Sequence, residues 1–415
     1  MNSALAAVIG LTLSIILIIR KLSPVYSLIL GAVVGGLLSG WGLEVTVSHM
    51  VTGVKDITPA IVRIIAAGIL TGMLVKTGAA TTIAKSIIRA LGEKYVFLAL
   101  ALSAMILTCM GVFIDVAVIT IAPIAIITGN RLGLSRTRLL LAMIGGGKCG
   151  NIISPNPNTI IAAENFDALL SSVMMAGIIP AVIGLIITVF VIVPLIPKGD
   201  MMREDGVVKE NENLPALWRS LLGPVVTILL LALRPICGVV IDPMIALPVG
   251  GVIGIIATGN VKKASECISY GLEKMSGIAI LLVGTGTLAG IIKASAIKDV
   301  LVGLLSQWSN GGTFMAPISG ALMSAATAST TAGATIASAS FADAIVAAGV
   351  AAVWGAAMIN AGATVLDHLP HGSFFHATGG SVGMNVKERL RLIPYETLVG
   401  VILAVGSVVA YMIMG

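Results

Sequence analysis

Residues 142–163 read Ala-Met-Ile-Gly-Gly-Gly-Lys-Cys-Gly-Asn-Ile-Ile-Ser-Pro-Asn-Pro-Asn-Thr-Ile-Ile-Ala-Ala. The stretch opens as an apolar helix, breaks at glycines and prolines, and resumes as an apolar segment too short to cross a bilayer alone. A bilayer core has no water for the backbone groups that such a break frees, so the break survives only when buried in protein or lining a cavity. This excludes a plain bundle of uninterrupted spans and makes the break a candidate site.

The same design returns at residues 357–378. Laid over the first stretch without gaps, it repeats Ala142, Met143, Ile144, Gly147, Pro155 and Ala162 as Ala357, Met358, Ile359, Gly362, Pro370 and Ala377. Matches of alanine, glycine and isoleucine arise by chance in a chain this rich in them. A proline at the same place in each break is harder to dismiss. Interrupted hydrophobic segments in corresponding halves point to the binding site of a secondary transporter.

Composition supports a membrane chain. Of 415 residues, 57% are hydrophobic and only 11% charged, too little charge to cover a soluble fold of this size. The apolar run 4–19 has no basic segment before it and no small-residue cleavage site, so it reads as a retained helix and not a secretory signal. The net charge of +6 sits in short loops and not on one face, which argues against a nucleic-acid partner and for the positive-inside rule. Cys109, Cys149, Cys237 and Cys267 have no metal spacing and read as small buried residues without a disulfide framework.

Taken in order, the expected fold is an all-α polytopic membrane protein made of two inverted-topology repeats, residues 1–197 and 221–415, joined by a cytoplasmic linker at 198–220. Each repeat is expected to hold five spans, a re-entrant hairpin (95–128 and 313–350) and a broken transmembrane helix (139–163 and 351–378). In the first repeat, helices are expected at about 4–19, 25–43 and 59–75, an interfacial amphipathic piece at 77–93, and a span at 174–196. The second should have helices near 222–240, 243–258 and 277–292, amphipathic pieces around Lys262, Lys263 and Glu266 and again up to Trp308, and a last span at 397–414.

Charge orients this plan. With both termini outside, 19 of the 25 lysines and arginines fall inside, all but Lys55, Arg63, Lys148, Arg234, Lys293 and Lys298. The opposite orientation puts the majority outside, against the rule. The first hairpin then opens inward and the second outward. Arg63 and Arg234 read as snorkelling side chains near helix ends.

Asp115 is an acid in an apolar run, a functional feature by default and here a candidate for proton coupling or substrate contact. Its alternative is a structural pair with Lys148, which is itself a candidate counter-charge for an anion. Around the first break, Asn151, Ser154, Asn156, Asn158 and Thr159 offer amides and hydroxyls, and the helix restarting at Pro155–Pro157 offers free N–H groups and a positive dipole end to a carboxylate. The alternative is a proline kink packed by neighbours. The second break adds Asp367, His368, His371 and Ser373; histidines there suit proton transfer, unless His371 and His376 are simply hydrated. Ser329, Thr330 and Thr331 in the second hairpin suit substrate hydroxyls, or else tight packing by small residues.

At these four places the chain resembles the gluconate permease family of the ion transporter superfamily. The run from Gly111 through Asp115 to Pro123 is similar to that family's glycine, apolar, acid, apolar hairpin, with Asp115 where the family has glutamate. Ser154-Pro-Asn-Pro-Asn resembles its Pro-Pro-His-Pro-Gly-Pro, with Asn156 replacing the histidine. Ser329-Thr-Thr-Ala-Gly-Ala-Thr resembles its Gly-Ser-Ala-Thr-Val hairpin. His368-Leu-Pro-His-Gly-Ser-Phe-Phe resembles its His-Val-Asn-Asp-Ser-Gly-Phe-Trp, keeping the histidine and the aromatic pair. The resemblance runs through the whole chain in order. It implies proton-coupled uptake of a small hydroxylated carboxylate, such as a sugar acid, glycerate or D-serine, by a homodimer with a moving, elevator-type transport domain in the inner membrane.

The expectation is therefore a symporter for a small organic anion with protons, without a cofactor or a metal site. One alternative keeps the architecture but couples a di- or tricarboxylate to sodium, held by unwound carbonyls and hydroxyls. A channel would never accumulate solute. An intramembrane enzyme has little support, since the chain has no HExxH signature and no isolated Ser/His or paired-Asp constellation outside the repeats.

Overall fold

The computed structural model describes residues 2–197, 214–239, 241–297, 299–300, 303 and 311–415, the side chains of 234–237 excepted, and every regular element among them is helical. The first half contains α1 (Ser3–Ile19), α2 (Pro24–Leu38), α3 (Leu43–Lys76), α4 (Ala79–Leu91), α5 (Val96–Cys109), α6 (Ile114–Leu132), α7 (Arg136–Asn151), α8 (Pro157–Asn165) and α9 (Leu170–Leu195). The second contains α10 (Leu217–Cys237), α11 (Pro243–Ala257), α12 (Ala264–Ala294), α13 (Gly311–Thr327), α14 (Thr330–Ala347), α15 (Ala352–Gly362), α16 (Ser373–Ser381), α17 (Val386–Leu390) and α18 (Ile393–Met414). Among the described residues five helical stretches are long and apolar enough to cross a membrane, and a sixth is possible if α4 and α5, bent by 107° at their junction, count as one broken span.

The two longest helices, α3 and α12, pack side by side along their lengths. Glycines allow this, because a Cβ on Gly53 would lie 2.1 Å from the Gly286 carbonyl oxygen and one on Gly72 would lie 1.9 Å from that of Cys267. With no hydrophobic effect between helices in lipid, such backbone proximity is what makes their van der Waals contact strong. α2 packs on α12, and α11 packs on α3.

The broken helices lie at the centre of the other group. Every residue of α7 except Arg138 is buried, as expected of a helix surrounded by protein on all sides. α5 and α6 form one helical hairpin against α7, and α13 and α14 form the other against α15. α14 also crosses to α8, while α6 crosses to α16, so each hairpin touches the broken helix of both halves.

Several sequence expectations change. Pro59 does not start the third helix; α3 begins at Leu43 and carries Pro59 inside it, which membrane helices tolerate where neighbours satisfy the freed carbonyl. The second helix ends at Leu38, before the expected Leu43. Lys262 and Lys263 form one 3-10 turn, and Glu266 already belongs to α12, which runs unbroken through the expected piece and the expected helix at 277–292. Most of the second amphipathic piece up to Trp308, residues 198–213 of the linker, and the side chain of Arg234 lie outside the described residues.

Arg136 and Arg389, counted above as loop charges, are buried instead. Arg136 Nε donates to Glu388 Oε1 at 2.7 Å, and Arg389 is paired with Glu396 and stacked on Phe375. Arg63 does not snorkel: it lies within α3, donates to both carboxylate oxygens of Asp242 at the start of α11, and pairs with Glu164 at the end of α8. The hydrogen bond from Arg63 holds the Asp242 carboxyl below the ordinary carboxylate range.

Candidate functional site

The first break follows from its prolines and asparagines. Pro157 occupies the first turn of α8, where its missing N–H is no loss, and Asn156 caps the new helix by accepting from the Thr159 N–H at 3.3 Å. Asn156 also accepts from the Thr159 hydroxyl at 3.1 Å, and its amide group donates back to Asn151 at the end of α7. Ser154 donates to the Asn151 carbonyl at 3.1 Å. All five polar residues expected here, Asn151, Ser154, Asn156, Asn158 and Thr159, are buried and lie together.

A sixth residue completes this group and comes from the other half of the chain. Asn360 of α15 accepts from Asn158 Nδ2 at 2.6 Å and donates to the Thr159 hydroxyl at 3.0 Å. Sequence reasoning passed over it, although an asparagine in Ala357-Met-Ile-Asn-Ala-Gly is a polar group in an apolar helix, the same signal that drew attention to Asp115. It occupies the place of Gly145 in the ungapped overlay, where identity was the only guide.

The second break holds charge where the first holds amides. Asp367 and His368 are buried between α15 and α16, and the side chain that meets them is Lys148 of α7, fully excluded from water. Lys148 Nζ lies 2.6 Å from Asp367 Oδ1, 2.5 Å from the Thr364 carbonyl oxygen and 3.0 Å from His368 Nδ1. An ammonium has three N–H donors and no acceptor, so these contacts use all three. The alternative pairing of Lys148 with Asp115 is thus overturned: the lysine reaches the second break, not the first hairpin.

His368 is held from both ring nitrogens. Nε2 lies 3.1 Å from the Ile393 carbonyl oxygen and 3.1 Å from the Thr397 hydroxyl. A carbonyl can only accept, so Nε2 carries a proton. Nδ1 lies 3.0 Å from Lys148 Nζ and 3.1 Å from Asp367 Oδ1, against both members of the ion pair.

The second hairpin closes on the same place. Thr330 donates to Asp367 Oδ2 at 2.5 Å, while Ser329 caps α14 through the Ala332 N–H. Thr331 is half-buried beside them. At the tip Ala328 has φ of 46°, left-handed backbone that L residues rarely adopt. Gly372 lies against this tip so closely that a Cβ on it would sit 2.5 Å from the Ala328 carbonyl oxygen.

Two groups thus lie one helical turn apart. α15 supplies Asn360 to the amide group, and the carbonyl of Thr364, two residues past its end, belongs to the charged one; four residues make about one turn. α7 likewise gives Asn151 to the first and Lys148 to the second. Other expected residues lie elsewhere: His371 and Ser373 are exposed, and His376 is exposed with Nε2 2.9 Å from the Pro370 carbonyl oxygen. Asp115 is half-buried in the first turn of α6, after the first hairpin's tip, whose Gly111 carbonyl accepts from Thr71 of α3 at 3.1 Å.

What this arrangement offers is a water-excluded cation, a hydroxyl and a chain of amides at two unwound segments, a setting for an anion with further polar groups. Among the described residues no group of three or more His, Cys, Asp or Glu side chains could hold a metal ion.

The fold and the sequence are similar to those of known transporters. The solved YdaH transporter of Alcanivorax borkumensis matches with a TM-score of 0.65 at 14% identity, over 90% of this chain and 88% of that one. MtrF of Neisseria gonorrhoeae matches with a TM-score of 0.54 at 14% identity, over 90% and 84%. At these identities the likeness concerns the fold. By sequence, the chain is 52% identical over 410 residues to a protein of Haemophilus influenzae named as an uncharacterized transporter, covering 99% of this chain and 98% of that one. It is 24% identical to a gluconate permease of Pseudomonas aeruginosa, over 78% of each chain, and 21% identical to the Gnt-II system L-idonate transporter of Escherichia coli, over 74% and 75%. The model of the GntP family permeases matches residues 3–414. With its apolar spans, paired breaks and a match along nearly its whole length, this chain belongs to the GntP permease family and is a multi-pass membrane transporter, not an enzyme.

Proposed function

We propose that the protein is a proton-coupled symporter of a small hydroxylated monocarboxylate, of the sugar-acid or glycerate type, in the inner membrane. The observation that carries this reading is Lys148, a fully buried cation where the two breaks meet, with amide and hydroxyl groups one turn away. A carboxylate is the natural partner of such a cation. Asn158, Thr159 and Asn360 then face the substrate's hydroxyls, and Thr330 lies over the carboxylate from the second hairpin.

Likeness to a gluconate permease and an L-idonate transporter supports the hydroxylated monocarboxylate over a sodium-coupled di- or tricarboxylate. The paired packing of α2 on α12 and α11 on α3, and of α6 on α16 and α14 on α8, supports two inverted repeats at 1–197 and 221–415 around a linker. An elevator-type movement of the hairpins and broken helices against α3 and α12, in a homodimer with both termini outside, completes the reading.

The test is uptake by the purified protein in lipid vesicles, offered labelled gluconate, L-idonate and glycerate. An inward proton gradient should drive accumulation without sodium, and a protonophore should abolish it. Accumulation of citrate or succinate only with sodium would replace this reading by its sodium-coupled counterpart, and equilibration without accumulation would indicate a channel.

A further inference from the structure

We infer that Asp367 is a built-in stand-in for the substrate carboxylate, and that the incoming anion takes its place on Lys148 and Thr330 while Asp367 takes up one proton. This rests on reading the meeting point of the breaks as the anion site.

The carboxylate of Asp367 already occupies the position an anionic ligand would want. One oxygen accepts from Lys148 at 2.6 Å and the other from Thr330 at 2.5 Å. Those two donors come from α7 and from the second hairpin, the elements that approach the second break from either side. Thr330, expected from the sequence to meet substrate, is here engaged by a protein carboxylate instead.

Charge bookkeeping then fixes the stoichiometry. At the meeting point of the breaks the Lys148 ammonium faces the Asp367 carboxylate, and these two charges sum to zero. The ionisable groups acting on Asp367 are Lys148 from α7 and His368 beside it. A second carboxylate entering without a proton would leave two anions on one ammonium in a site without water, and like charges sharing a site force one of them to protonate. A proton from the entry side, placed on Asp367, restores the sum to zero: ammonium, substrate carboxylate and neutral acid. The protonated Asp367 needs no cation and can donate to a neighbouring carbonyl. Loading is electroneutral, one proton with each monoanion.

The prediction differs from one in which the proton sits at a remote acid. There the anion site would be preformed, and Asp367 would hold Lys148 in every state. Here binding and proton uptake are a single event.

Titration calorimetry with gluconate, in two buffers of different ionisation enthalpy at one pH, counts the protons bound. The expected result is uptake of about one proton per gluconate, with affinity falling about tenfold per pH unit above neutrality. In Asp367→Asn, which keeps the acceptor for Thr330 but cannot ionise, proton uptake should vanish and the affinity should become independent of pH. Proton uptake that persists in Asp367→Asn overturns the inference while gluconate binding leaves the transport reading standing. If Asp367→Asn does not fold, Thr330→Val serves. It removes a donor to the ionised form, so the pH at which binding weakens should move upward by about one unit, and an unmoved pH dependence overturns the inference. If gluconate, L-idonate and glycerate all fail to bind the unaltered protein, the hydroxylated-carboxylate reading falls and the inference with it.

Discussion

Lys148 Nζ and Asp367 Oδ1 are 2.6 Å apart, and neither side chain reaches water. They belong to different halves of the chain, so this one ion pair ties α7 to the second break. A buried pair is not in itself a large net stabiliser, because desolvation offsets much of the attraction; removing one partner is what costs, about 3–5 kcal/mol. Lys148→Met should therefore lower the melting temperature strongly in detergent. Adding Asp367→Asn should recover most of that loss, since no charge is then stranded, while transport stays absent. A double variant as unstable as the single one would mean the lysine's worth lies in its contacts with Thr364 and His368.

The amide link across the breaks gives a second, independent case. Asn158 and Asn360 are both buried, and each is the other's partner at 2.6 Å. Truncating Asn360 to alanine leaves Asn158 Nδ2 without an acceptor, at about 1–3 kcal/mol. A double-mutant cycle of Asn158→Ala and Asn360→Ala, read by thermal unfolding, should show clear coupling, because the second truncation finds the partner already gone. Strict additivity would dissolve the pair.

How much of this was legible from sequence depends on the reach of each interaction. The two breaks are local events, written in Pro155, Pro157 and Pro370 and in the apolar runs beside them: α7 ends at Asn151 and α8 starts at Pro157, and α15 ends at Gly362 and α16 starts at Ser373. The turns from α5 to α6 and from α13 to α14 are equally local and fall at Gly111 and Ala328. The partnership of Lys148 with Asp367 was not legible, because it spans more than two hundred positions and the acid that stands out in an apolar run is Asp115. Arg63 misled for the same reason: a lone arginine in an apolar run looks like a snorkelling end until Asp242 and Glu164, each far away in sequence, are brought to it. Asn360 carried a signal, a polar residue in an apolar helix, that an overlay by identity does not register. The length of α12 was hidden by Lys262, Lys263 and Glu266, whose charges suggest an interfacial piece where the helix simply emerges from its apolar part.

Packing at the hairpin tip predicts a steric effect. A Cβ on Gly372 would lie 2.5 Å from the Ala328 carbonyl oxygen and 2.6 Å from the Ala328 Cβ, whereas one on Gly380 would meet nothing within 4 Å. Gly372→Ala should push the tip away from the second break, cost about 1–3 kcal/mol, and weaken substrate affinity through Thr330. Gly380→Ala, in the following helix, should be neutral or stabilising by about 0.5 kcal/mol. Thermal unfolding and gluconate affinity, measured together for the two variants, check this. Equal behaviour would show that the tip is not held by Gly372.

Arg63 predicts a kinetic effect larger than its thermodynamic one. Its side chain and that of Glu164 are each about a quarter exposed and Asp242 is more so, so each pair contributes about 1 kcal/mol or less. If α8 moves against α3 during transport, the Arg63–Glu164 contact must open in each cycle. Arg63→Gln should then barely change the melting temperature yet raise the exchange rate of labelled substrate by up to about fivefold, the rate equivalent of about 1 kcal/mol. Asp242 does not confuse a pH series here. Its folded value lies below the unfolded one, so its contribution is fully present above the unfolded value of about 4 and is lost only as pH falls through the lower folded value. An unchanged exchange rate would place α8 and α3 in one rigid body.

The two acids, Asp115 and Asp367, can be told apart by accumulation. Coupling requires that proton and anion share a free energy, and the shortest route to one is competition for the same donors. Asp367 shares Lys148 and Thr330 with the proposed anion position. Asp115 has no such link: it lies in the first turn of α6, and Lys148 is committed elsewhere. Asp367→Asn should therefore exchange labelled substrate across the membrane but fail to accumulate it against a gradient. Asp115→Asn should still accumulate, more slowly if the first hairpin's tip is disturbed. The reverse pattern would move the coupling proton to the first hairpin, and with it the idea that Asp367 yields its place to the substrate would have to be given up.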